Sequence, residues 1–384
     1  MDPRGGGPGE GIRQLTPLLQ AMGHATQVVS LDAPAAPWLN EIEPSALGLG
    51  PGRSSYGFSP RFRPWLQEHL REYDIAIIHG IWQFHSFCAY QELRAQRIPY
   101  VVYPHGMLDP WFRRRYPLKH YKKQLYWWIA EQKVLSKAQG VLFTSDEERR
   151  LARESFWPYH AREFVVNYGI QAPPPDLGRQ QAAFHGRMPA LRGKRYVLFL
   201  GRIYEKKGPD LILEALRGEI GTRLIAQDMH VLIAGPAKDQ AYRFSLDRIL
   251  SKISPSIAKR VHWLDVLQGD EKWGALRGAD CFILPSHQEN FGIAVVEALA
   301  CGIPVLISNQ VNIWKEIVLD GAGLAAADTV AGTAQLLQSW LQLDSARRSE
   351  MRGNAGNCFQ HRFELTRSVA AIADLLVSFS KGMP

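Results

Sequence analysis

The chain has 384 residues, too many for one ordinary α/β domain and about right for two. Its 46% hydrophobic and 21% charged residues exclude a disordered chain and can fill two cores. Lys and Arg outnumber Asp and Glu by 45 to 37, an excess that suits acidic ligands or an acidic surface and is too diffuse to imply a nucleic-acid partner.

The four cysteines, Cys88, Cys281, Cys301 and Cys358, form no C-x-x-C pair and have no histidine cluster beside them. Neither a disulfide framework nor a zinc site is expected, and a reducing, cytoplasmic compartment fits. Residues 1–11 are Gly-rich without an apolar run, so no signal peptide is expected there, and no apolar stretch reaches membrane-spanning length.

Residues 5–9, Gly-Gly-Gly-Pro-Gly, precede an expected helix over 10–22 and a strand over 26–31. A Gly-rich turn that opens a helix normally follows a strand, which delivers the chain to a phosphate site. Only residues 1–4 precede this turn, so the first strand of the N-terminal domain is expected to be missing, through a natural start upstream of Met1 or a real loss. Apolar runs at 73–79, 99–103 and 141–144 read as buried strands, and Ser145-x-x-Glu148 is a capping box opening a charged helix. Alternation of short apolar runs with amphipathic stretches predicts βα units and a parallel sheet.

Residues 167–192, with Pro173, Pro174, Pro175 and several Gly and Gln, break that rhythm and read as a linker. A second βα series follows, with strands at 196–201, 230–235, 261–264, 281–286 and 304–308 and helices at 209–217 and 292–301. The tail at 364–378 reads as a closing helix. The expected organisation is an N-terminal Rossmann-like α/β domain (1–168), a linker (169–192), a C-terminal Rossmann-like α/β domain (193–360) and a closing segment (361–384) that packs back on the first domain.

Ser286-His287-Gln288-Glu289-Asn290-Phe291-Gly292 leaves an expected strand and enters an expected helix. Amides near Gly292 and Ile293 would point out of the helix N-terminus, a site for a phosphate or sugar oxygen. Glu289 at the loop tip can accept hydrogen bonds from sugar hydroxyls, and Glu297 suits a ribose diol as a charged acceptor. An ordinary helix glutamate would be solvated, whereas Glu297 sits among Ala294, Val295, Val296, Ala298 and Leu299, where a charge needs a partner. Gly201-Arg202 and Glu205-Lys206-Lys207-Gly208 directly follow another expected strand. Ligands of such sheets bind beyond the carboxyl ends of the strands, so Arg202 and Lys207 are placed to meet a diphosphate. No Asp-x-Asp occurs in the chain, so a metal-held diphosphate is not expected.

These motifs, in this order, resemble the retaining glycosyltransferases of family 4. The resemblance covers nearly the whole chain and rests on Gly201-Arg202, Lys207-Gly208, Gly235-Pro236, Pro285-Ser286, Glu289-Asn290-Phe291-Gly292, Glu297-Ala298, Gly302-Ile303-Pro304-Val305 and Asn167-Tyr168-Gly169-Ile170. It implies the α/β GT-B fold, two facing Rossmann-like domains with parallel sheets, and a nucleoside-diphosphate sugar as donor with no other cofactor and no metal. Arg202 and Lys207 would hold the donor diphosphate, with Gly201 and Gly235 beside them. Glu289 and the Asn290–Ile293 backbone would hold the sugar, and Glu297 the ribose. Gly6 and Gly7 would approach the donor phosphate. His105, in Tyr103-Pro104-His105-Gly106, would face the donor sugar; His79 is a weaker candidate. The implied catalytic group is His105, Arg202, Lys207 and Glu289. The acceptor would attack from the side the diphosphate leaves, with retention, and fixed cations would stabilise the leaving group. A carbohydrate or lipid-linked acceptor, in surface-polysaccharide or glycolipid synthesis, is the expectation. A nucleotide-sugar 2-epimerase on the same fold and a non-catalytic truncated product are the alternatives; the absence of a strand followed by G-x-G-x-x-G disfavours a dinucleotide oxidoreductase.

Arg113, Arg114, Arg115, Lys119, Lys122 and Lys123 precede Tyr126-Trp127-Trp128, and no acid occurs from 110 to 130. Basic residues beside Trp and Tyr suit an anionic lipid surface, which would make the protein peripheral on the inner face of the cell membrane. A pocket for acceptor phosphates and a solvated helix with a buried aromatic face are the other readings.

Overall fold

The computed structural model describes residue 1 and residues 7–40 and 46–382. The chain divides into two units, Met1–Gln171 with Leu365–Pro384, and Ala172–Glu364.

In the first unit Val29–Ser30 (β1) pairs in parallel with Leu47–Gly48 (β2). Ala76–His79 (β3), Tyr100–Tyr103 (β4), Gly140–Phe143 (β5) and Glu163–Val165 (β6) form a separate parallel sheet in that order. Every residue of β4 and β5 is buried, as expected of parallel strands covered on both faces. Alternate residues serve opposite cores. Tyr100, Val102, Val141 and Phe143 pack with Trp127, Val134 and Leu135. Val101, Tyr103 and Leu142 pack with Leu15 and Leu19 of the helix Gly7–Ala21 and with Val369, Ile372 and Leu376 of the helix Leu365–Ser380.

The strand expected over 26–31 shrinks to β1 and pairs with β2, leaving β3 as an edge of the four-stranded sheet. The first helix begins at Gly7 rather than at Glu10, and no strand precedes it among the described residues. Gly5 and Gly6 lie outside the described residues.

In the second unit the strands are Arg195–Leu200 (β7), Met229–Ala234 (β8), Val261–Leu264 (β9), Cys281–Leu284 (β10), Val305–Ser308 (β11) and Gly323–Ala326 (β12). They form one parallel sheet of order β12-β11-β10-β7-β8-β9. The chain runs outward from β7 to β9 and then returns to β10 on the other side of β7, with Phe282 in register with Leu198. The β7/β10 boundary is therefore the topological switch point, the place where an open parallel sheet leaves a crevice for ligand.

The segment expected as linker is more ordered than its composition suggests. It holds the helix Leu177–Arg187, whose first turn is capped by the Asp176 side chain accepting from Arg179 N. Phe184 and Gln180 are buried, and Arg179 pairs with Asp270 at 2.8 Å in the helix Gly269–Gly278. Three prolines before this helix stop it from starting earlier, and they mask its pattern in the sequence.

Candidate active site

Both motif loops of the second unit emerge at its switch point. Gly201 and Arg202 leave β7, and residues 285–292 leave β10. The two loops are tied together: the Lys206 carbonyl accepts from Ser286 Oγ and His287 N, both at 2.8 Å. Gly208 sits at φ +67°, and a Cβ there would lie 2.3 Å from the Pro285 carbonyl oxygen. Only glycine permits that approach. Gly235, leaving β8 at φ +143°, crosses Gly201 so closely that a Cβ would meet the Gly201 oxygen at 1.9 Å. These contacts fix the backbone from which Arg202 and Lys207 project.

Arg202 is exposed and meets no carboxylate among the described residues. The Lys207 ammonium pairs with the Glu289 carboxylate, joining the loop after β7 to the loop after β10. Burial, then the charges of Lys206 and Arg202, pulls Lys207 down to about 7, which Glu289 opposes by holding the proton in place. Glu289 is itself fixed by its backbone, which donates to the Gln310 carbonyl and accepts from Asn312 N, both at 3.0 Å. Asn290 Oδ1 accepts from Asn312 Nδ2 at 3.2 Å, and Phe291 is buried edge-on against Phe363. Gly292 caps the helix Ile293–Ala300; its carbonyl accepts from Val295 and Val296. Among the described residues no acceptor meets the amides of Gly292, Ile293 or Ala294, so they present partial positive charge beside Glu289.

Glu297 is mostly buried and has the partner its surroundings demand: Lys272 Nζ donates to it at 2.6 Å. Lys272 lies over the Trp273 ring at 4.3 Å. The sequence reading missed Lys272, as it missed Asp328, which holds His287 Nδ1 at 2.8 Å. Neither residue lies near the motif it supports, so no spacing could have signalled it.

His105 and Gly7 belong to the first unit. Gly7 opens the first helix, so part of the expected glycine loop is helical. His105 follows β4 at φ +51° and bonds through Nε2 to His79 Nδ1 at 3.0 Å. Burial holds His105 down at about 4 and lowers His79 and His85 as well, so His105 is a neutral imidazole near pH 7. The turn is held by the capping-box glutamate. Glu148 accepts from Gly106 N at 2.6 Å and from Thr144 N and Oγ1 at 2.7 Å.

The basic aromatic segment divides into two faces. Trp127, expected at its surface, is fully buried: its ring stacks on Phe156 and Nε1 donates to the Pro158 carbonyl at 2.8 Å. Lys123 turns inward over the Trp82 ring at 4.6 Å. With Arg113, Lys119 and His120 it lines a cavity of ≈ 70 Å³ walled by Phe112, Tyr116 and Phe156. Arg114, Arg115, Lys122 and Trp128 face solvent.

Two family models divide the chain between them. The "glycosyl transferase 4-like domain" matches residues 6–169 and "glycosyl transferases group 1" matches residues 183–357. The chain belongs to the family 4 glycosyltransferases. This family member is 31% identical over 210 residues to D-inositol 3-phosphate glycosyltransferase of Mycolicibacterium gilvum, covering 53% of this chain and 42% of that protein. It is 30% identical over 247 residues to the Kineococcus radiotolerans protein of the same name, covering 59% and 54%. The chain thus aligns with about half the length of these curated relatives. Sucrose-phosphate synthase from Thermosynechococcus elongatus superposes with a TM-score of 0.73 at 17% identity, over 98% of this chain and 94% of that one. HepE from Anabaena, solved with UDP and glucose, gives 0.73 at 17% identity over 97% of each chain. At these identities the neighbours establish the GT-B fold alone.

Proposed function

We propose that this protein moves a hexose from a nucleoside-diphosphate sugar to an acceptor hydroxyl, with retention at the anomeric carbon and without a metal ion. The observation that carries the proposal is the convergence of Arg202, Lys207, Glu289 and the amide-rich start of the helix Ile293–Ala300 at one switch point. Arg202 and Lys207 supply fixed positive charge for a departing diphosphate. Such preorganised charge needs no reorganisation as the bond breaks. Glu289 and the amides at 292–294 supply acceptors and donors for sugar hydroxyls, and Glu297 with Lys272 supplies a charged acceptor for a ribose diol. The acceptor hydroxyl attacks from the face the diphosphate leaves, and a leaving phosphate oxygen takes its proton. A carbohydrate or lipid-linked acceptor at a membrane fits the basic aromatic segment of the first unit.

UDP-glucose is the first donor to test, since HepE was solved with it. Release of UDP is expected with and without EDTA, and the sugar freed by slow donor hydrolysis should carry the donor's anomeric configuration when read by NMR before mutarotation. Abolition by EDTA would refute the metal-free reaction, and an inverted product would refute retention. Epimerised donor formed without any acceptor would replace transfer with isomerisation.

A further inference from the structure

We propose that the helical run beginning at Pro117–Tyr126, together with Trp157, is a bilayer-docking surface. Its exposed apolar stripe enters an anionic lipid leaflet and its cations hold the headgroups. This deepens, and rests on, the membrane-bound acceptor of the proposed function, while using none of the groups assigned to the donor.

The run continues through Trp127–Glu131 and Gln132–Ser136 without a break. Leu118, Tyr121, Leu125, Trp128 and Ile129 recur along it at steps of three and four, the spacing of one helix face. All are exposed: Leu118 by 84%, Tyr121 by 72%, Leu125 and Ile129 by 57% and Trp128 by 48%. The opposite face, with Trp127, Ala130 and Val134, is fully buried. The run is therefore apolar on two sides, and the fold uses one. A contiguous patch of this kind on a single chain marks an interaction surface.

Trp157, 75% exposed, is bound to the same helix. Its carbonyl accepts from Gln124 Nε2 at 2.5 Å and from Trp128 Nε1 at 2.7 Å, and its amide donates to Gln124 Oε1 at 3.2 Å. The Trp157 backbone is thereby held on the helix by Gln124 and by the Trp128 indole N–H.

Charge selects the occupant. Lys119 and Lys122 flank the stripe and are exposed, as are Arg114 and Arg115 on the preceding helix Trp111–Arg115. With no acid from 110 to 130, a second copy of this face would meet it cation to cation. An anionic leaflet satisfies both halves, because lysine and arginine reach the headgroups while Trp and Tyr sit at the interface and leucine and isoleucine go deeper. The stripe also sets the response to salt. Screening removes the headgroup attraction and leaves the apolar insertion.

The test is co-sedimentation of the full chain with phosphatidylcholine vesicles with or without phosphatidylglycerol. Wild type should bind the anionic vesicles, and a measurable fraction should remain bound at about 0.5 M salt, where the Debye length falls to a few ångströms. Leu118→Glu with Leu125→Glu should lower partitioning by about tenfold or more at both salt levels, since two of the inserting side chains become anionic. Arg114→Glu with Arg115→Glu should lower it chiefly at low salt. Both variants change exposed residues and should keep the wild-type melting temperature and nucleotide affinity. Brominated lipid should quench tryptophan fluorescence in wild type and less so in Trp128→Phe with Trp157→Phe. Absence of vesicle binding, unchanged binding of the Leu118/Leu125 variant, or a concentration-dependent dimer that this variant loses would each overturn the proposal. Vesicle binding without sugar transfer would refute the proposed reaction and support the surface; transfer without vesicle binding would do the reverse.

Discussion

Glu148→Gln isolates one buried carboxylate. Its Oε1 accepts from Gly106 N at 2.6 Å and its Oε2 from Thr144 N and Thr144 Oγ1 at 2.7 Å, all within the buried interior of the first unit. Glutamine keeps the shape and replaces one oxygen with an NH2 group. Whichever way the amide turns, a donor then faces at least one backbone N–H. Leaving a buried donor unsatisfied costs about 1–3 kcal/mol, and losing charge assistance on the surviving bonds adds roughly 1 kcal/mol. A total of about 3 kcal/mol, at roughly 2–4 °C per kcal/mol for a domain of this size, lowers the melting temperature by about 10 °C. Differential scanning calorimetry reads it. The same change loosens the turn that holds His105, so turnover should fall, while nucleotide affinity, which the proposed site assigns to groups of the second unit, stays at the wild-type value. A melting temperature within 2 °C of wild type, by the same conversion, would mean that this carboxylate does not hold the turn.

Arg202→Ala and Lys207→Ala should each lower turnover by about 100-fold, the effect of removing one preorganised group from a developing charge, and near-normal turnover in both would refute the leaving-group role. Glu297→Ala should weaken binding of the free nucleotide, whereas Glu289→Ala should spare it and damage transfer; calorimetry showing the opposite would exchange the two roles. His105 is held at about 4 against an unfolded value near 6.5, so below 6.5 the unfolded chain takes up a proton that the folded chain refuses. Stability present above pH 6.5 is therefore lost as pH falls toward 4, by about 3 kcal/mol from this group. His105→Asn should flatten that part of the stability profile measured by urea denaturation, and an unchanged slope would refute the assignment.

The loops that follow β7 and β10 were legible because their residues are contiguous and because turn glycines and strand ends leave local marks. The Gly201-Arg202 and Glu289–Glu297 motifs needed no tertiary information. Strand order did need it. Nothing local places residue 198 beside residue 282, and that pairing creates the switch point. Lys272 and Asp328 were illegible for the same reason, since each supports a motif from a distant segment. The adjacent indoles Trp127 and Trp128 show a finer limit. Composition grouped them, while one helical step sends the first into the core and the second to solvent. Residues 177–187 show the converse: prolines hide a helix whose burial becomes evident only against its neighbour.

In the proposed site the Lys207–Glu289 pair favours a sugar-bearing donor over the free nucleotide product. Both side chains are mostly buried, at 17% and 18% exposure, so neither can be left without a counter-charge cheaply. In the proposed complex the diphosphate claims Lys207 and frees Glu289. A donor with its sugar gives Glu289 hydroxyl protons to accept, and the exchange is complete. A free nucleoside diphosphate makes the same demand on Lys207 and returns nothing to Glu289, which then faces the amides at 292–294 alone. The free nucleotide thus carries a cost that the intact donor does not, which favours release after transfer. Removing Glu289 abolishes that cost along with the sugar contact, so Glu289→Ala should leave free-nucleotide binding intact or tighter even as transfer fails.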